Sequence, residues 1–458
     1  MRIDCMNPAT GELRFRYETM SPAAIAAALA SAEAAQREWR ALPLAARLPL
    51  FRALAAVLRR EREAWAALIT LEMGKRRAES LAEIDKCAWL CEVYADNAPA
   101  WLAEESVAAD GLRHRIVLQP LGVILSIMPW NFPFWQALRF AVPALLAGNA
   151  SLLKHARNVP GCAGAIAGAF AEAGFPAGLF QAIFATHADL EALLDAEAIR
   201  GVSLTGSTEA GALIAAAAGR RLKKVVLELG GSDPFVVLED ADLAAAVAGA
   251  RLGRLVCTGQ SCIAAKRFIV VAPLAERFAA GLAAEFRALV PGDPSDPTVT
   301  LGPLVDAAAV ETLEDQVARS LAAGARLVCG GRRLARPGYY FEATVLAEAA
   351  PGMAVAEEEV FGPVAPVFSV PDEEAALALA NGTPFGLGGC VWTRDLARGE
   401  RFARRLEAGA VFVNSIVKSD PRLPFGGVKR SGLGRELSAY GLREFVNVQG
   451  LNIYEAGR

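Results

Sequence analysis

The feature that most constrains the fold is a regular alternation of short apolar runs and helix-like stretches, which begins at residue 113. Three helices are predicted before that point, but later runs such as 122–128, 150–154 and 201–204 are too short and too apolar for surface helices. Strands buried on both faces have this composition, and strands that alternate with helices form parallel sheets. The sequence therefore predicts an α/β fold of doubly wound parallel sheets.

The length of the chain predicts two such sheets. A chain of 458 residues is too long for one ordinary core. The alternation pauses at Gly230-Gly231 and resumes with a strand at 234–238, so we predict a domain boundary there. A last apolar run, 445–453, predicts a strand left over after two domains, which would pair with another subunit.

Composition argues against several classes of protein. The net charge of −3 gives no basic surface for nucleic acid. Eight cysteines without a Cys-x-x-Cys pair, and only three histidines, argue against a metal site or a disulfide framework and favour a cytoplasmic location. The uncharged run 116–138 is long enough to cross a bilayer, but its prolines favour buried strands and a loop, and no signal peptide is evident.

A thiol-bearing turn, Cys257-Thr-Gly-Gln-Ser-Cys262, lies between a predicted helix and the strand 266–271. Gly259 permits a tight turn, and such a turn can present a thiolate to a substrate carbon. Cys262 is thus a candidate nucleophile, with a buried structural thiol as the alternative. Cys257 could form a disulfide with Cys262 under oxidation, or it could be a buried thiol at the end of a helix.

Two polar residues stand where reactive groups are expected. Glu228 ends an apolar strand, and burial would raise its pKa toward the range of a general base, although a buried acid can also simply be paired. Asn131, in the proline-held loop 129–133, offers an amide donor in a rigid place. A turn asparagine that caps the next helix is the other reading of this residue.

Two further stretches have features of an anion site. Gly206 and Ser207 follow a buried strand and precede a helix, so backbone N–H groups and the helix dipole would face a pyrophosphate. The full G-x-G-x-x-G pattern is absent, and an ordinary strand-helix turn remains possible. Lys154 places a cation at the carboxyl end of a strand, where such sheets bind ligands, and an exposed structural lysine is the alternative.

Together these stretches resemble the aldehyde dehydrogenase superfamily over essentially the whole chain. The motifs that match in family order are Pro129-Trp-Asn-Phe-Pro133, Leu152-Leu-Lys154, Leu204-Thr-Gly-Ser-Thr-Glu-Ala-Gly211, Leu227-Glu-Leu-Gly-Gly231, Gly259-Gln-Ser-Cys262, Glu358-Glu-Val-Phe-Gly-Pro363 and Pro424-Phe-Gly-Gly-Val-Lys-Arg-Ser-Gly432.

The resemblance implies a Rossmann-like cofactor domain over residues 1–229, a catalytic domain over 230–428 and a C-terminal segment over 429–458. It also implies a protruding oligomerisation β segment near 104–120 and a homodimer or homotetramer.

Two other functions are possible on this fold. A chain without catalytic activity would be a binding protein, and a chain without the cofactor would be a thiol hydrolase. The presence of both the cysteine and the glutamate argues against the binding protein.

In the implied chemistry, Cys262 attacks an aldehyde, and the Asn131 amide with the Cys262 backbone N–H holds the oxyanion. Glu228 then activates the water that releases a carboxylic acid. NAD or NADP would be held by Trp130, Lys154, Gly206, Ser207, Glu359 and Phe361. Arg157 replaces a glutamate common in NAD-preferring members, so it would admit a 2′-phosphate and make NADP use credible, unless it is merely a solvent-facing arginine.

The implied substrate is a small aldehyde. Arg139 matches an arginine that binds the distal carboxylate in members acting on succinate semialdehyde. A second arginine of that group is replaced by Val256 here, and Ser419, Lys418 or Arg422 would supply the missing contact. We expect succinate semialdehyde, with a broad aldehyde or aminoaldehyde dehydrogenase as the alternative.

Overall fold

Strands and helices alternate through most of the chain. The computed structural model describes residues 1–456. Its strands are β1 (Arg2–Met6), β2 (Leu13–Glu18), β3 (Glu105–Val107), β4 (Arg113–Pro120), β5 (Val123–Met128), β6 (Ala150–His155), β7 (Phe180–Ala182), β8 (Ile199–Thr205), β9 (Lys224–Glu228), β10 (Asp233–Val237), β11 (Ala265–Val271), β12 (Arg326–Cys329), β13 (Thr344–Ala347), β14 (Val364–Val370), β15 (Gly388–Trp392), β16 (Ala410–Val413), β17 (Gly432–Leu433) and β18 (Val446–Ile453).

The α-helices cover both large sheets. They are α1 (Pro22–Ala41), α2 (Leu44–Arg60), α3 (Arg62–Met73), α4 (Arg77–Trp101), α5 (Pro133–Leu146), α6 (Pro160–Glu172), α7 (His187–Asp195), α8 (Thr208–Gly219), α9 (Leu243–Leu255), α10 (Ala272–Arg287), α11 (Ala307–Ala322), α12 (Ala354–Glu357), α13 (Glu373–Asn381), α14 (Leu396–Arg405) and α15 (Ser438–Leu442).

The first large sheet has the strand order β17-β9-β8-β5-β6-β7. Its neighbours are parallel except β17, which pairs antiparallel with β9. Thr205 is in register with Glu228, and Ile127 with Lys154. The carboxyl ends of these strands therefore meet at one edge of the sheet, which is the usual ligand crevice of such folds.

The second large sheet has the order β12-β13-β14-β11-β10-β15-β16, with only β12 antiparallel to its neighbour. Separate clusters of buried apolar side chains pack on its two faces. The doubly wound α/β fold predicted from the alternation is confirmed. The predicted boundary near residue 230 falls between the last parallel strand of one sheet and β10 of the other, and the domain limits themselves stay a prediction.

A third sheet joins distant parts of the chain. β18 pairs antiparallel with β4 along its full length, and β4 also pairs with β3. One edge of the C-terminal strand is thus paired within its own chain. Its second edge has no strand partner among residues 1–456.

Some local predictions hold and others shift for identifiable reasons. The Ser21 hydroxyl caps α1 by accepting from the Ala24 N–H at 3.2 Å, as cap-then-proline sequences favour. α2 begins at Leu44 rather than after Pro49, so the proline lies in the second turn of the helix and removes one backbone hydrogen bond there. The exposed hairpin of β1 and β2 and the four-residue β13 were not predicted, because neither has a long apolar run.

The predicted strands and loop of the run 116–138 are confirmed by β4, β5 and the start of α5. No single helix among residues 1–456 has the length and apolarity to cross a membrane, although α1 and α2, bent by 120°, pass that test as a pair. Within the same residues, no group of three or more histidine, cysteine, aspartate or glutamate side chains is placed to hold a metal ion.

Candidate active site

Cys262 follows a tightly wound turn between α9 and β11. Cys257 and Thr258 adopt left-handed conformations, with φ of 54° and 56°, and Gly259 follows at 78°. A Cβ on Gly259 would lie 2.3 Å from the Gly362 carbonyl oxygen, so only glycine fits there. The turn therefore has little freedom, and it leaves Cys262 partly exposed.

Buried hydrogen bonds hold this turn. The Arg254 guanidinium, fully buried, donates to the carbonyl oxygens of Gly259 at 2.7 Å, Ala265 at 2.8 Å and Val360 at 3.2 Å. Burial lowers the Arg254 pKa to about 9. The Glu79 carboxylate accepts from the Cys257 N–H at 2.9 Å. These contacts compensate the strain of the two left-handed residues.

A second buried cation, Lys266, approaches Cys262 from strand β11. Lys266 Nζ donates to the carbonyl oxygens of Ser261 at 3.0 Å and Cys262 at 2.7 Å, and it pairs with Glu359 at 3.2 Å. Burial raises the pKa of the Cys262 thiol to about 12, while the charges of Lys266 and Arg139 oppose that rise. The resting side chain is therefore a thiol that must lose its proton before it can attack.

Asn131 lies beside this turn, as its predicted role requires. Its side-chain N–H donates to the Gln260 carbonyl oxygen at 2.8 Å, and its Oδ1 has no hydrogen-bond partner among residues 1–456. The Asn131 carbonyl accepts weakly from Cys257 Sγ at 3.5 Å. Asn131 and the Cys262 turn are thus brought together by direct contacts.

The loop that carries Asn131 is fixed from behind. Glu83 on α4 accepts from the Phe134 and Trp135 N–H groups, both at 2.9 Å, and so caps α5. Glu83 also pairs with buried Lys75, whose ammonium lies 3.7 Å from the centre of the Phe132 ring. These contacts make the loop rigid.

Glu228 ends β9 and is only 2% exposed. Neither of its carboxylate oxygens has a hydrogen-bond partner in the described part of the chain. Burial raises the Glu228 pKa to about 8, the charge of Arg139 opposes the rise and that of Glu436 adds to it. A buried acid of this kind can accept a proton near neutral pH.

Arg139 on α5 is 2% exposed and forms an ion pair with buried Glu436. Its guanidinium also lies 3.4 Å from the Thr205 hydroxyl and 4.8 Å from the Phe425 ring centre. Burial raises the Glu436 pKa, and Arg139 lowers it. The predicted carboxylate-binding arginine therefore already has a counter-charge.

A mostly apolar cavity of about 360 Å³ opens beside Cys262. Its wall includes Arg139, Phe425 and Ser419, the last bonded at 2.7 Å to Lys86 of α4. The cavity thus joins the thiol to a cationic and hydroxyl-bearing end, which is the composition expected of a small-ligand site.

The predicted cofactor residues lie at the strand ends and the nearby loop. Burial, together with the charge of Arg157, lowers the pKa of Lys154 at the end of β6. Ser207 caps α8, accepting from the Ala210 N–H at 3.2 Å, and Gly206 precedes it.

The remaining predicted cofactor residues come from both halves of the chain. Trp130 and Phe361 meet edge to face with ring centres 6.0 Å apart. Glu359 accepts from the Gly231 N–H at 3.2 Å, which brings it beside the double glycine that follows Glu228.

These residues fit the chemistry of a nicotinamide dinucleotide. Lys154 and Arg157 lie close enough for the charge of Arg157 to lower the pKa of Lys154, and no carboxylate among residues 1–456 opposes that shift, so both cations can face phosphate. The Tyr17 hydroxyl donates to the Arg157 carbonyl at 2.9 Å and holds that loop. The N-terminus of α8 adds backbone donors for a pyrophosphate.

Several site residues were not singled out from the sequence. Their hydrogen bonds and ion pairs involve partners that only the folded chain brings close. These residues are Arg254, Lys266, Lys86 and Glu436. The one usable signal was a cation beside apolar residues, as Lys266 is in β11 and Lys86 is ahead of the run 87–91. A charge in such a place requires a partner or a function.

The fold and the site bring the Cys262 thiol, the Asn131 amide and the buried Glu228 carboxyl to the strand ends, an arrangement that fits an enzyme. The chain belongs to the aldehyde dehydrogenase family, whose model matches residues 1–451.

Relatives of the chain share nearly its full length. A Synechocystis protein named probable succinate-semialdehyde dehydrogenase [NADP(+)] is 49% identical over 98% of this chain and 99% of its own. Succinate-semialdehyde dehydrogenase [NADP(+)] 1 of Mycobacterium tuberculosis is 47% identical over 98% and 99%. The crystal structure of succinic semialdehyde dehydrogenase from Streptococcus pyogenes with NADP+ is 36% identical, with a TM-score of 0.97 over 99% of this chain and 100% of that chain.

Proposed function

We propose that this protein oxidises succinate semialdehyde to succinate with NADP as the preferred hydride acceptor. The observation that carries the proposal is the cavity that joins the Cys262 thiol to Arg139 and Ser419. Its apolar walls suit a short carbon chain, and its cationic end suits a carboxylate. The names of the Synechocystis and Mycobacterium relatives support the same substrate and cofactor.

The first step is attack of the Cys262 sulfur on the aldehyde carbon. The thiol proton passes to solvent water, a C–S bond forms as the carbonyl π bond opens, and the carbonyl oxygen becomes an oxyanion that the Asn131 amide and the Cys262 N–H stabilise. The Asn131 N–H now bonded to the Gln260 carbonyl is close enough to the turn for that role. Loss of one such donor costs about 3 kcal/mol of barrier.

The cofactor supplies the hydride acceptor that turns the aldehyde carbon into an acyl carbon. Lys154 and Arg157 would hold its phosphates, with Arg157 on the 2′-phosphate, while Gly206 and Ser207 would face the pyrophosphate. Glu359 would bind the ribose beside the nicotinamide. Trp130 and Phe361 would close the crevice around it.

The last step is hydrolysis of the thioester on Cys262. Glu228 accepts a proton from water as the water oxygen bonds to the acyl carbon, and the C–S bond then breaks to return the thiolate. The pKa of about 8 makes Glu228 a better base than an ordinary carboxylate, at the expense of being half protonated at that pH. The products are succinate and a free enzyme.

We propose in addition that the protein is a cytoplasmic homodimer or homotetramer. All eight cysteines are free, which fits a reducing compartment. The outer edge of β18 exposes Val448 and Leu451 and can extend the three-stranded sheet onto another copy. Light scattering after size exclusion at micromolar concentration should give a mass at least twice that of one chain, whereas a single-chain mass would contradict this part.

The test of the main proposal is steady-state kinetics with purified protein. Succinate semialdehyde, butanal and an aminoaldehyde are each offered with NADP and with NAD. We expect the highest kcat/KM for succinate semialdehyde with NADP. Equal values for succinate semialdehyde and butanal would overturn the substrate, and a higher value with NAD would overturn the cofactor preference.

A further inference from the structure

A second cation, Lys86, faces the cavity beside Arg139. It lies on α4, and its ammonium donates to the Ser419 hydroxyl at 2.7 Å and lies 4.2 Å from the centre of the Trp135 ring. Lys86, Ser419 and Trp135 all line the cavity that contains Cys262. The lysine is thus part of the wall that a substrate would touch.

Lys86 is half-buried and, unlike Arg139 and Lys266, has no carboxylate partner in the described part of the chain. Among residues 1–456 it forms no ion pair, because the nearby carboxylates are already engaged: Glu83 with Lys75, and Asp420 with Arg422. A desolvated ammonium without an anion is costly to keep. A bound carboxylate would remove that cost.

Arg139 is in the opposite position, because its ion pair with Glu436 leaves the two side chains neutral as a unit. Lys418, the other cation of the cavity wall that is unpaired among residues 1–456, is exposed to solvent, so the unbalanced positive charge inside the cavity comes from Lys86. Val256, which also lines the cavity, adds no charge. A carboxylate bound in the cavity would therefore find its unpaired cation in Lys86.

We infer that the Lys86 ammonium also binds the distal carboxylate of the substrate, beside Arg139 and the Ser419 hydroxyl. Lys86 is then the residue that makes the enzyme specific for a short aldehyde with a terminal carboxylate. This inference rests on the proposed oxidation of succinate semialdehyde. It adds a residue that neither the sequence motifs nor Arg139 would have identified.

The environment of Lys86 adds a pH dependence. Burial lowers the Lys86 pKa to about 8, and the charge of Arg139 lowers it too, while Cys87, Asp420 and Glu83 act in the other direction. The free enzyme therefore loses this positive charge as the pH rises through about 8. Affinity for a carboxylate substrate should fall in the same range, and affinity for an uncharged aldehyde should not.

The experiment compares kcat/KM for succinate semialdehyde and for butanal in the wild type, K86Q, K86R and K224Q. Lys224 is the control, because it is an exposed lysine outside the cavity. We expect K86Q to lower the value for succinate semialdehyde by about 10- to 100-fold through KM, as loss of a charged hydrogen bond does, and the value for butanal by less than about threefold. K224Q should change both by less than about threefold.

K86R supplies the pH readout, because a guanidinium does not titrate in this range. In the wild type, the ratio of the two kcat/KM values should fall between pH 7.5 and 9, since Cys262 and Glu228 act on both substrates and cancel. K86R should keep a flat ratio. A purely structural role for Lys86 would not produce this difference.

Three outcomes are distinguishable. Selective loss with succinate semialdehyde in K86Q, and a flat ratio in K86R, would support the inference. Equal loss with both substrates in K86Q, in a background where the wild type prefers succinate semialdehyde, would overturn it and leave the proposed function standing. A wild type with no preference for succinate semialdehyde would overturn the proposed function and the inference together.

Discussion

The Cys262 turn and Glu228 belong to one site but are held in opposite ways. Arg254 and Lys266 together bond five carbonyl oxygens in and around the turn, so its polar groups are satisfied. Glu228 is equally buried, yet both of its carboxylate oxygens lack a partner among residues 1–456. In the proposed mechanism these are two needs of a catalyst, because hydrogen bonds would position the nucleophile Cys262 and desolvation would make the base Glu228 reactive.

The largest expected effect comes from removing the sulfur atom of Cys262. C262A should lower kcat by about 10⁴-fold or more, because no other group in the site replaces the sulfur. The measurement is NADPH formation from succinate semialdehyde at saturating cofactor. C329S is the control, since Cys329 lies on β12, away from the cavity. Comparable losses in both variants would show that the thiols matter for folding alone.

Removing the base should be less severe and should have a distinct kinetic signature. E228Q is expected to lower kcat by roughly 10²–10⁴-fold, because the thioester loses its general base. The first turnover does not need hydrolysis, so stopped-flow traces should show a burst of about one NADPH per site. A slow first turnover without a burst would assign Glu228 to an earlier step.

The next largest effect on kcat is expected from Asn131, the proposed hydrogen-bond donor to the oxyanion. N131A should lower kcat by about 10²–10³-fold, with a smaller change in KM, because the donor acts where charge develops in the transition state. Thermal unfolding checks that the loop survives, since the Gln260 carbonyl loses its 2.8 Å partner. A variant that raises KM alone would place Asn131 in ground-state binding.

The side chains that hold the Cys262 turn should affect the free energy of unfolding more than they affect catalysis. R254M strands three buried carbonyl oxygens, and we expect unfolding free energy to fall by about 3 kcal/mol or more. Arg251, on the same helix α9 but in a partly exposed pair with Glu285, provides the control R251M, which should change stability by less than about 0.5 kcal/mol. Denaturant titration measures both. Equal stability of the two variants would contradict the role given to Arg254.

The smallest effect is a pH-dependent difference in stability. The folded-state pKa of Glu228, about 8, lies above its ordinary value of 4.5, so folding favours the protonated acid. That stability is fully present below pH 4.5 and is lost as the pH rises through about 8. E228Q does not ionise, so its Tm relative to the wild type should rise between pH 6 and 9. A constant difference would show that Glu228 is charged throughout.

The sequence predicted the architecture where the determinants are local. The run 224–231 predicted a buried strand that ends in an acid, and β9 confirms it. Cys262 was predicted to lie between a helix and a strand, and it lies between α9 and β11. Matching motifs then brought Asn131, Glu228 and Cys262 together as one reaction centre. In the structure, direct contacts join Asn131 to the Cys262 turn, and the charge of Glu228 acts on the thiol.

What the sequence did not predict are pairings between distant segments. β17 joins β9 from the far end of the chain, and Glu436 neutralises Arg139, although neither partner has a local pattern that names the other. The sequence did not identify Lys86 for the same reason. Its lack of an ion pair among residues 1–456 arises because the carboxylates near it, which come partly from distant segments, pair with other cations.

Intact-protein and peptide mass spectrometry of E228Q, mixed with succinate semialdehyde and NADP and quenched in acid, tests the central claim most directly. The account predicts a succinyl adduct on the peptide that contains Cys262, formed in step with the burst of NADPH and absent when NADP is withheld. An unmodified Cys262 during NADPH formation, or an adduct on another cysteine, would contradict it.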